Sequence, residues 1–79
     1  MQWTALIADD EPIARQLLLT YSGQVPALRI VAQAGSGSET VLQCIEHKPD
    51  LIFLDVQMPE LDGFEALQAL WPHHQPHVI

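Results

Sequence analysis

The chain has 79 residues, of which 48% are hydrophobic and 16% charged, a balance typical of one small folded domain rather than of a disordered segment. Ten acidic residues oppose three basic ones, and the formal net charge of −7 argues against binding of nucleic acid or of an anionic membrane by this segment. The single cysteine, Cys44, the lack of a signal-like N-terminus and the lack of an apolar run of about 18 residues predict a soluble, cytoplasmic protein.

The first predicted element is a buried strand that ends at acidic residues. Residues 3–8 (WTALIA) form a short apolar run, and Asp9-Asp10-Glu11 follow it directly. A continuous apolar run of this length is typical of a strand that is covered on both faces.

A helix is predicted after Pro12, a residue that suits a first helical turn because that turn does not need its missing N–H. Ile13, Leu17 and Tyr21 recur at every fourth position, and Ala14 and Leu18 flank them. This pattern predicts an apolar stripe that faces the core. The helix should end near Gly23 because Pro26 prevents its continuation.

The next pair of elements is a strand over residues 28–34 (LRIVAQA) and a second helix. Ser36 and Glu39 match a capping box at the start of that helix, and Pro49 closes it. Its buried face is predicted to consist of Val41, Leu42 and Ile45.

The most apolar run of the chain, residues 51–54 (LIFL), predicts a third strand that ends at Asp55. A third helix, carrying Phe64, Leu67 and Leu70, follows the Asp62-Gly63 step, and Val78-Ile79 begin a fourth strand. This alternation predicts an α/β fold with a doubly wound parallel sheet and helices on both faces.

Carboxylates follow two strands of this predicted sheet. Asp9 and Asp10 leave the first strand and Asp55 leaves the third, and ligands of open parallel sheets bind at this carboxyl edge. If the strands are neighbours, the three side chains repel each other, so the site either takes up protons or holds a cation. Oxygen ligands favour Mg²⁺, and Asp55, alone at the end of its strand, is the better candidate for a carboxylate nucleophile.

Residues 7–12 (IADDEP) and 54–63 (LDVQMPELDG) together resemble the response-regulator receiver family of two-component signalling, with the acidic pair, the strand-end aspartate, the Met-Pro turn and the Asp-Gly step in order. The resemblance implies a flavodoxin-like fold, here with strand order 2-1-3 and the start of strand 4. Residues 1–79 would be the N-terminal two-thirds of one receiver domain. The segment around Asp9 is also similar to regulators with a LytTR-type DNA-binding output domain.

The resemblance also implies roles for individual residues. Asp55 would be the phosphoacceptor, and Asp10, Asp55 and the backbone carbonyl of Gln57 would bind Mg²⁺ or Mn²⁺, with Asp9 acting through water. A sensor histidine kinase or a small phosphodonor would supply the phosphoryl group. A receiver assists its own phosphorylation and dephosphorylation without turning over an external substrate, so no enzyme activity is expected.

The match to the family pattern is incomplete within these 79 residues. The resemblance implies a Thr or Ser after the fourth strand and a Lys after the fifth, and neither is present. Lys48 lies seven residues before Asp55, roughly 20 Å away along an extended chain, and Thr4, Thr20 and Thr40 are placed away from the acidic edge. We therefore expect weak phosphorylation, no signalling by this segment alone and a homodimer through an exposed sheet edge, with DNA bound only through a domain absent here.

Simpler and competing interpretations remain open. Acidic residues favour the N-terminus of any helix, Asp55 could be an ordinary turn residue, and His73-His74-x-x-His77 is expected to be a solvated loop rather than a metal site. Two other functions compete with the phosphoacceptor. One is a degenerate receiver that acts as an interaction module. The other is a Mg²⁺-dependent phosphohydrolase with an aspartate nucleophile, which Gln57 argues against because those enzymes resemble Asp-x-Asp.

Overall fold

The computed structural model describes residues 2–55, 58 and 62–79. The described part alternates strands and helices from end to end. The elements are β1 (Trp3–Ala8), α1 (Pro12–Ser22), β2 (Leu28–Ala34), α2 (Gly37–His47), β3 (Leu51–Leu54), α3 (Gly63–Leu70) and β4 (His77–Val78).

The strands form one parallel sheet in the order β2-β1-β3-β4, which confirms the predicted order. Ala8 is in register with Leu54 on β3 and with Ala34 on β2, so three strands end at the same level. The pairing of β1 with β2 contains a register shift after Ala5, a bulge that places Val31 opposite no partner. The predicted burial of β1 is also confirmed, because Ala5 to Ala8 are completely buried.

The helices cover the two faces of this sheet unequally. Right-handed crossovers place α1 on one face and α2 with α3 on the other, and α2 and α3 pack against each other. The main core lies under α2 and α3 and includes Leu6, Cys44, Ile52 and Leu70. Apolar burial of this kind is the main stabilising contribution in a domain of this size.

The predicted buried stripe of α1 is wrong for its main row, which faces solvent, and is confirmed for the flanking Ala14 and Leu18. The exposed fractions of Ile13, Leu17 and Tyr21 are 74%, 52% and 63%. The row that faces the sheet is Ala14 and Leu18, one position further along the helix, and both are partly buried. One residue turns the helix by about 100°, so a stripe with apolar residues on two adjacent rows does not fix which row faces the sheet.

On α2, the predicted buried position Leu42 is 67% exposed, whereas the predicted positions Val41 and Ile45 are partly buried. Phe64 on α3 is 69% exposed. On α2 the buried row is Thr40 and Cys44, and on α3 it is Ala66 and Leu70. Small residues allow the two helices to approach each other and the sheet closely, so the larger Leu42 and Phe64 lie on the outer sides.

Local side chains cap the N-termini of α2 and α3. Ser36 accepts a hydrogen bond from the backbone N–H of Glu39, as expected, at 3.2 Å. A complete capping box is found instead at α3, where Asp62 and Glu65 bond each other's backbone N–H groups. Helix α2 ends at Lys48, whose φ of 46° is left-handed.

Candidate functional site

The candidate site lies where β1 and β3 end side by side. Ala8 and Leu54 are paired across the two strands, so the residues that follow them, Asp9 and Asp55, leave the sheet at neighbouring points. The backbone N–H of Asp55 donates to the carbonyl of Ala8 at 2.9 Å, which extends the ladder by one bond. The pairing of parallel strands thus brings together two acidic residues that are 46 positions apart in the sequence.

Three carboxylates converge at this edge. Asp9, Asp10 and Asp55 each offer an oxygen, and these oxygens lie within 4.8 Å of one another. Asp9 and Asp55 are half-buried and Asp10 is exposed. The convergence that the sequence predicted for an acidic triad is therefore present.

Three hydrogen bonds, from β2, the loop before α1 and α1 itself, fix Asp9 at the end of β1. Its N–H donates to the carbonyl of Ala34 at 3.0 Å, and its Oδ1 accepts from the N–H of Glu11 at 3.0 Å. Its carbonyl accepts from Nη1 of Arg15 at 2.6 Å. Sequence reasoning missed Arg15, although a long basic side chain one turn into a helix that follows two acids is a signal that could have found it.

The triad is electrostatically unfavourable without a cation. At 4.8 Å and an effective dielectric near 20, each like-charged pair repels by about 3.5 kcal/mol, and exposure of Asp10 lowers this toward the value in water. The oxygen donors suit a hard cation. Because the three oxygens lie within 4.8 Å of one another, Asp9, Asp10 and Asp55 would hold one such ion between them, directly or through water.

An open cavity of about 430 Å³ borders the triad on the α1 face. Asp9, Glu11 and Asp55 form its polar end, and Leu18, Phe53 and Ile79 belong to its apolar wall. Asp55 is therefore accessible from this side to a small molecule or to the side chain of a protein partner.

The other residues considered from the sequence lie elsewhere. Gln57, whose carbonyl was expected to bind the metal, lies outside the described residues. Lys48 precedes β3 and so lies at the opposite end of the strand from Asp55. The hydroxyls of Thr20 and Thr40 bond the carbonyls of Gln16 and Ser36 within their own helices, and Thr4 bonds Asp50 at the far edge of the sheet.

The histidine-rich segment does not join the acidic site. Within residues 2–55, 58 and 62–79, the one group of carboxylate, imidazole or thiolate ligands close enough for a metal is the triad. Nε2 of His74 lies 2.6 Å from the carbonyl of Pro49, at the other end of the sheet. Cys44 is buried, and burial raises the pKa of its thiol to about 11, so it is present as a neutral core side chain.

The doubly wound parallel sheet, with three aspartates at its carboxyl edge, belongs to the class of α/β domains whose ligands bind at that edge. The family model of the response regulator receiver domain matches residues 5–79, and the chain belongs to this family.

Relatives of known sequence agree with this assignment. An uncharacterized response regulatory protein of Vibrio cholerae is 47% identical over 70 residues, covering 86% of this chain and 26% of the relative. The transcriptional regulatory protein BtsR of Escherichia coli is 35% identical over 74 residues, covering 94% of this chain and 31% of BtsR. The chain thus spans about a third or less of the length of these relatives.

Solved structures support the same fold. The response regulator domain of Thermotoga maritima CheB superposes with a TM-score of 0.95 at 33% identity, covering 99% of this chain and 58% of that domain. A structure of CheY6 from R. sphaeroides in complex with the P1 domain of CheA3 gives a TM-score of 0.83 at 28% identity, with coverages of 96% and 60%. None of the helices in the described ranges is long and apolar enough to cross a bilayer.

Proposed function

We propose that this chain is the phosphoacceptor part of a two-component response regulator and that Asp55 receives the phosphoryl group. The observation that carries the proposal is the convergence of the Asp9, Asp10 and Asp55 carboxylates beside an open cavity. In the transfer, a carboxylate oxygen of Asp55 bonds to phosphorus while the bond from phosphorus to the donor breaks. The electron pair of that bond leaves with the donor, which is an imidazole of a histidine kinase or acetate from acetyl phosphate.

Mg²⁺ or Mn²⁺ is the cation that we assign to this edge. The carboxylates of Asp10 and Asp55 would bind it directly, Asp9 would bind it through water, and the carbonyl of Gln57 would complete the protein ligands. When bound, the cation supplies positive charge that offsets the triad and the incoming phosphoryl oxygens. Asp9, held by the Ala34 carbonyl and the Glu11 N–H, keeps the neighbouring Asp10 at the edge.

The test is phosphorylation of the purified protein by acetyl phosphate, read as a mass gain of one phosphoryl group and mapped by peptide analysis. We expect a Mg²⁺-dependent adduct that Asp55→Asn abolishes and that Glu46→Gln, an exposed acid on α2, leaves intact. Beryllofluoride binding with Mg²⁺ gives a second readout that does not depend on transfer rate. An adduct that persists in Asp55→Asn would refute the assignment, whereas steady hydrolysis of phosphate esters would favour the phosphohydrolase. A folded protein without any adduct would favour a degenerate receiver.

A sensor histidine kinase is the proposed physiological donor. Two features support a protein partner at this site: the similarity to CheY6, whose structure is a complex with the P1 domain of CheA3, and the solvent-facing apolar row of Ile13, Leu17 and Tyr21 on the helix beside the triad. A Leu17→Lys variant should slow transfer from a cognate kinase while leaving phosphorylation by acetyl phosphate unchanged. Equal loss with both donors would contradict a docking role.

We further propose a homodimer through the β4 edge of the sheet. Val78 and Ile79 are 44% and 64% exposed there, and an edge strand offers unpaired backbone groups to a second chain. Sedimentation over a range of concentrations should give a dimer that Val78→Lys weakens, and a monomer at high concentration would contradict it. We also propose that a separate domain of the same protein, of LytTR type, binds DNA and that the protein is cytoplasmic. A relative named as a transcriptional regulatory protein supports only the DNA-binding part of this proposal.

A further inference from the structure

The side chain of Arg15 returns from the first turn of α1 to the end of the strand that precedes the helix. Its Nη1 donates to the backbone carbonyl of Asp9 at 2.6 Å, and the side chain is half-buried. Helical side chains tilt toward the N-terminus, so a residue at this position is directed at the strand end. A hydrogen bond from a charged donor contributes more than a neutral one, which makes this contact a strong constraint on the loop.

The same guanidinium also lies against the turn after β2. A Cβ added to Gly35 would lie 3.4 Å from Nη1, which is van der Waals contact. Gly35 does not have a positive φ, so its backbone does not require glycine. A Cβ would also fit beside the guanidinium at this distance, so the contact shows only that Arg15 reaches the end of β2 as well as the end of β1.

Through these contacts Arg15 immobilises the residue before Asp10. The carbonyl of Asp9 bonds Arg15, its N–H bonds Ala34 and its Oδ1 bonds Glu11, so the backbone direction into Asp10 is set. The carboxylate of Asp10 is exposed, so burial among the described residues does not hold it toward Asp55. The backbone of Asp9 is therefore the part of the loop through which the position of Asp10 is controlled.

We infer that Arg15 is a positioning residue for the cation site, which holds the Asp9–Asp10 step so that Asp10 faces Asp55. This inference rests on the proposed function. A competing interpretation is that Arg15 acts as a counter-charge to the triad. The two interpretations predict opposite results, because removal of a counter-charge strengthens cation binding and removal of a positioning contact weakens it.

The experiment measures the Kd of Mn²⁺ and Mg²⁺ by titration calorimetry in Arg15→Gln, Arg15→Lys and Arg29→Gln. Arg29 is an exposed arginine on β2, paired in register with Thr4 at the other end of the sheet, so Arg29→Gln removes the same charge away from the site. We expect Arg15→Gln to raise the Kd of the cation about tenfold. This is the lower end of the range of affinity losses that follow when a contact orienting a metal ligand is removed. Arg15→Lys, which keeps the charge and one donor, should recover part of this loss, and Arg29→Gln should bind as tightly as the wild type or more tightly.

Amide hydrogen exchange of the metal-free protein gives a second readout. In Arg15→Gln the N–H groups of Asp9 and Glu11 should exchange faster, while the N–H of Asp50 at the far edge of the sheet should not change. Unchanged or tighter cation binding in Arg15→Gln would overturn the inference, as would a uniform increase in exchange, which indicates a general loss of stability. If the wild type binds no cation, the proposed function fails, and the exchange pattern still decides whether Arg15 positions the loop.

Discussion

Asp50 and Thr4 form a reciprocal polar contact where β1 and β3 begin, at the opposite end of these strands from the acidic triad. Oδ2 of Asp50 accepts from the backbone N–H of Thr4 at 2.9 Å and from its hydroxyl at 3.0 Å. The N–H of Asp50 donates in return to the carbonyl and the hydroxyl of Thr4, at 2.9 and 3.1 Å. The carbonyl of Asp50 accepts from the N–H of His77, so one residue joins the starts of β1, β3 and β4.

This contact predicts a pH dependence of stability. Hydrogen bonds from the backbone and then the side chain of Thr4, and the nearby His74 and His77, lower the pKa of Asp50. A lowered pKa in the folded state means that the stabilisation is complete above the unfolded pKa of about 3.9 and is lost as the pH falls through the folded value.

Urea unfolding should therefore show that Asp50→Asn lowers the free energy of unfolding at neutral pH and that the difference from wild type shrinks below about pH 4. Glu46→Gln serves as the control because Glu46 is exposed on α2. A difference that stays constant through this pH range would contradict the role of the ionised carboxylate.

The triad predicts that one substitution has opposite effects with and without a cation. Asp10→Asn removes two repulsive pairs, and because Asp10 is exposed we expect the metal-free protein to gain only about 1 kcal/mol. At a Mg²⁺ concentration of about 100 times its Kd, the wild type should gain about 2.7 kcal/mol and Asp10→Asn much less.

Thermal unfolding with Mg²⁺ and with a chelator measures both effects. Glu11→Gln, a neighbouring exposed acid outside the triad, should keep the response to Mg²⁺. If metal-free Asp10→Asn were less stable than the metal-free wild type, repulsion among the carboxylates would not be destabilising the fold.

The left-handed residue at the end of α2 predicts a stabilising substitution. Lys48 has a φ of 46°, a conformation that costs a residue with a Cβ about 1 kcal/mol or more and glycine little. We expect Lys48→Gly to raise the free energy of unfolding by about 0.5–1 kcal/mol, which raises the Tm of a domain of this size by several degrees. Glu46→Gly, inside the same helix, should instead lower stability by about 1 kcal/mol. If both substitutions lowered the free energy of unfolding equally, Lys48 would not adopt the left-handed conformation in solution.

The exposure of the main apolar row of α1 predicts contrasting alanine substitutions. Leu6 is completely buried in the core, and Leu6→Ala should cost about 2–5 kcal/mol, a large part of the stability of a small domain. Ile13 is 74% exposed, so Ile13→Ala should change the free energy of unfolding by less than about 0.5 kcal/mol. Chemical denaturation compares the two directly, and a large loss from Ile13→Ala would indicate that α1 buries the row predicted from the sequence.

The sequence alone determined the elements and the chemistry of their ends. The apolar runs of residues 3–8 and 51–54 locate β1 and β3, because each run stops at an aspartate that a buried strand does not accommodate. The strand order and the convergence of Asp9, Asp10 and Asp55 follow from the rules of parallel sheets, since neighbouring strands end at one edge.

Only the tertiary structure decided which face each helix buries and what holds the site. Helical periodicity indicates rows of apolar residues, but the choice between adjacent rows depends on how closely a helix approaches the sheet. Ala14 and Leu18 therefore face the sheet, whereas Ile13 and Leu42, which were expected to be buried, are exposed. The bonds from Arg15 to Asp9 and from Thr4 to Asp50 likewise depend on relative positions of elements, which a single sequence does not specify. Asp55 was identified from its place in the sequence, whereas the contacts that position its neighbours were found only in the folded chain.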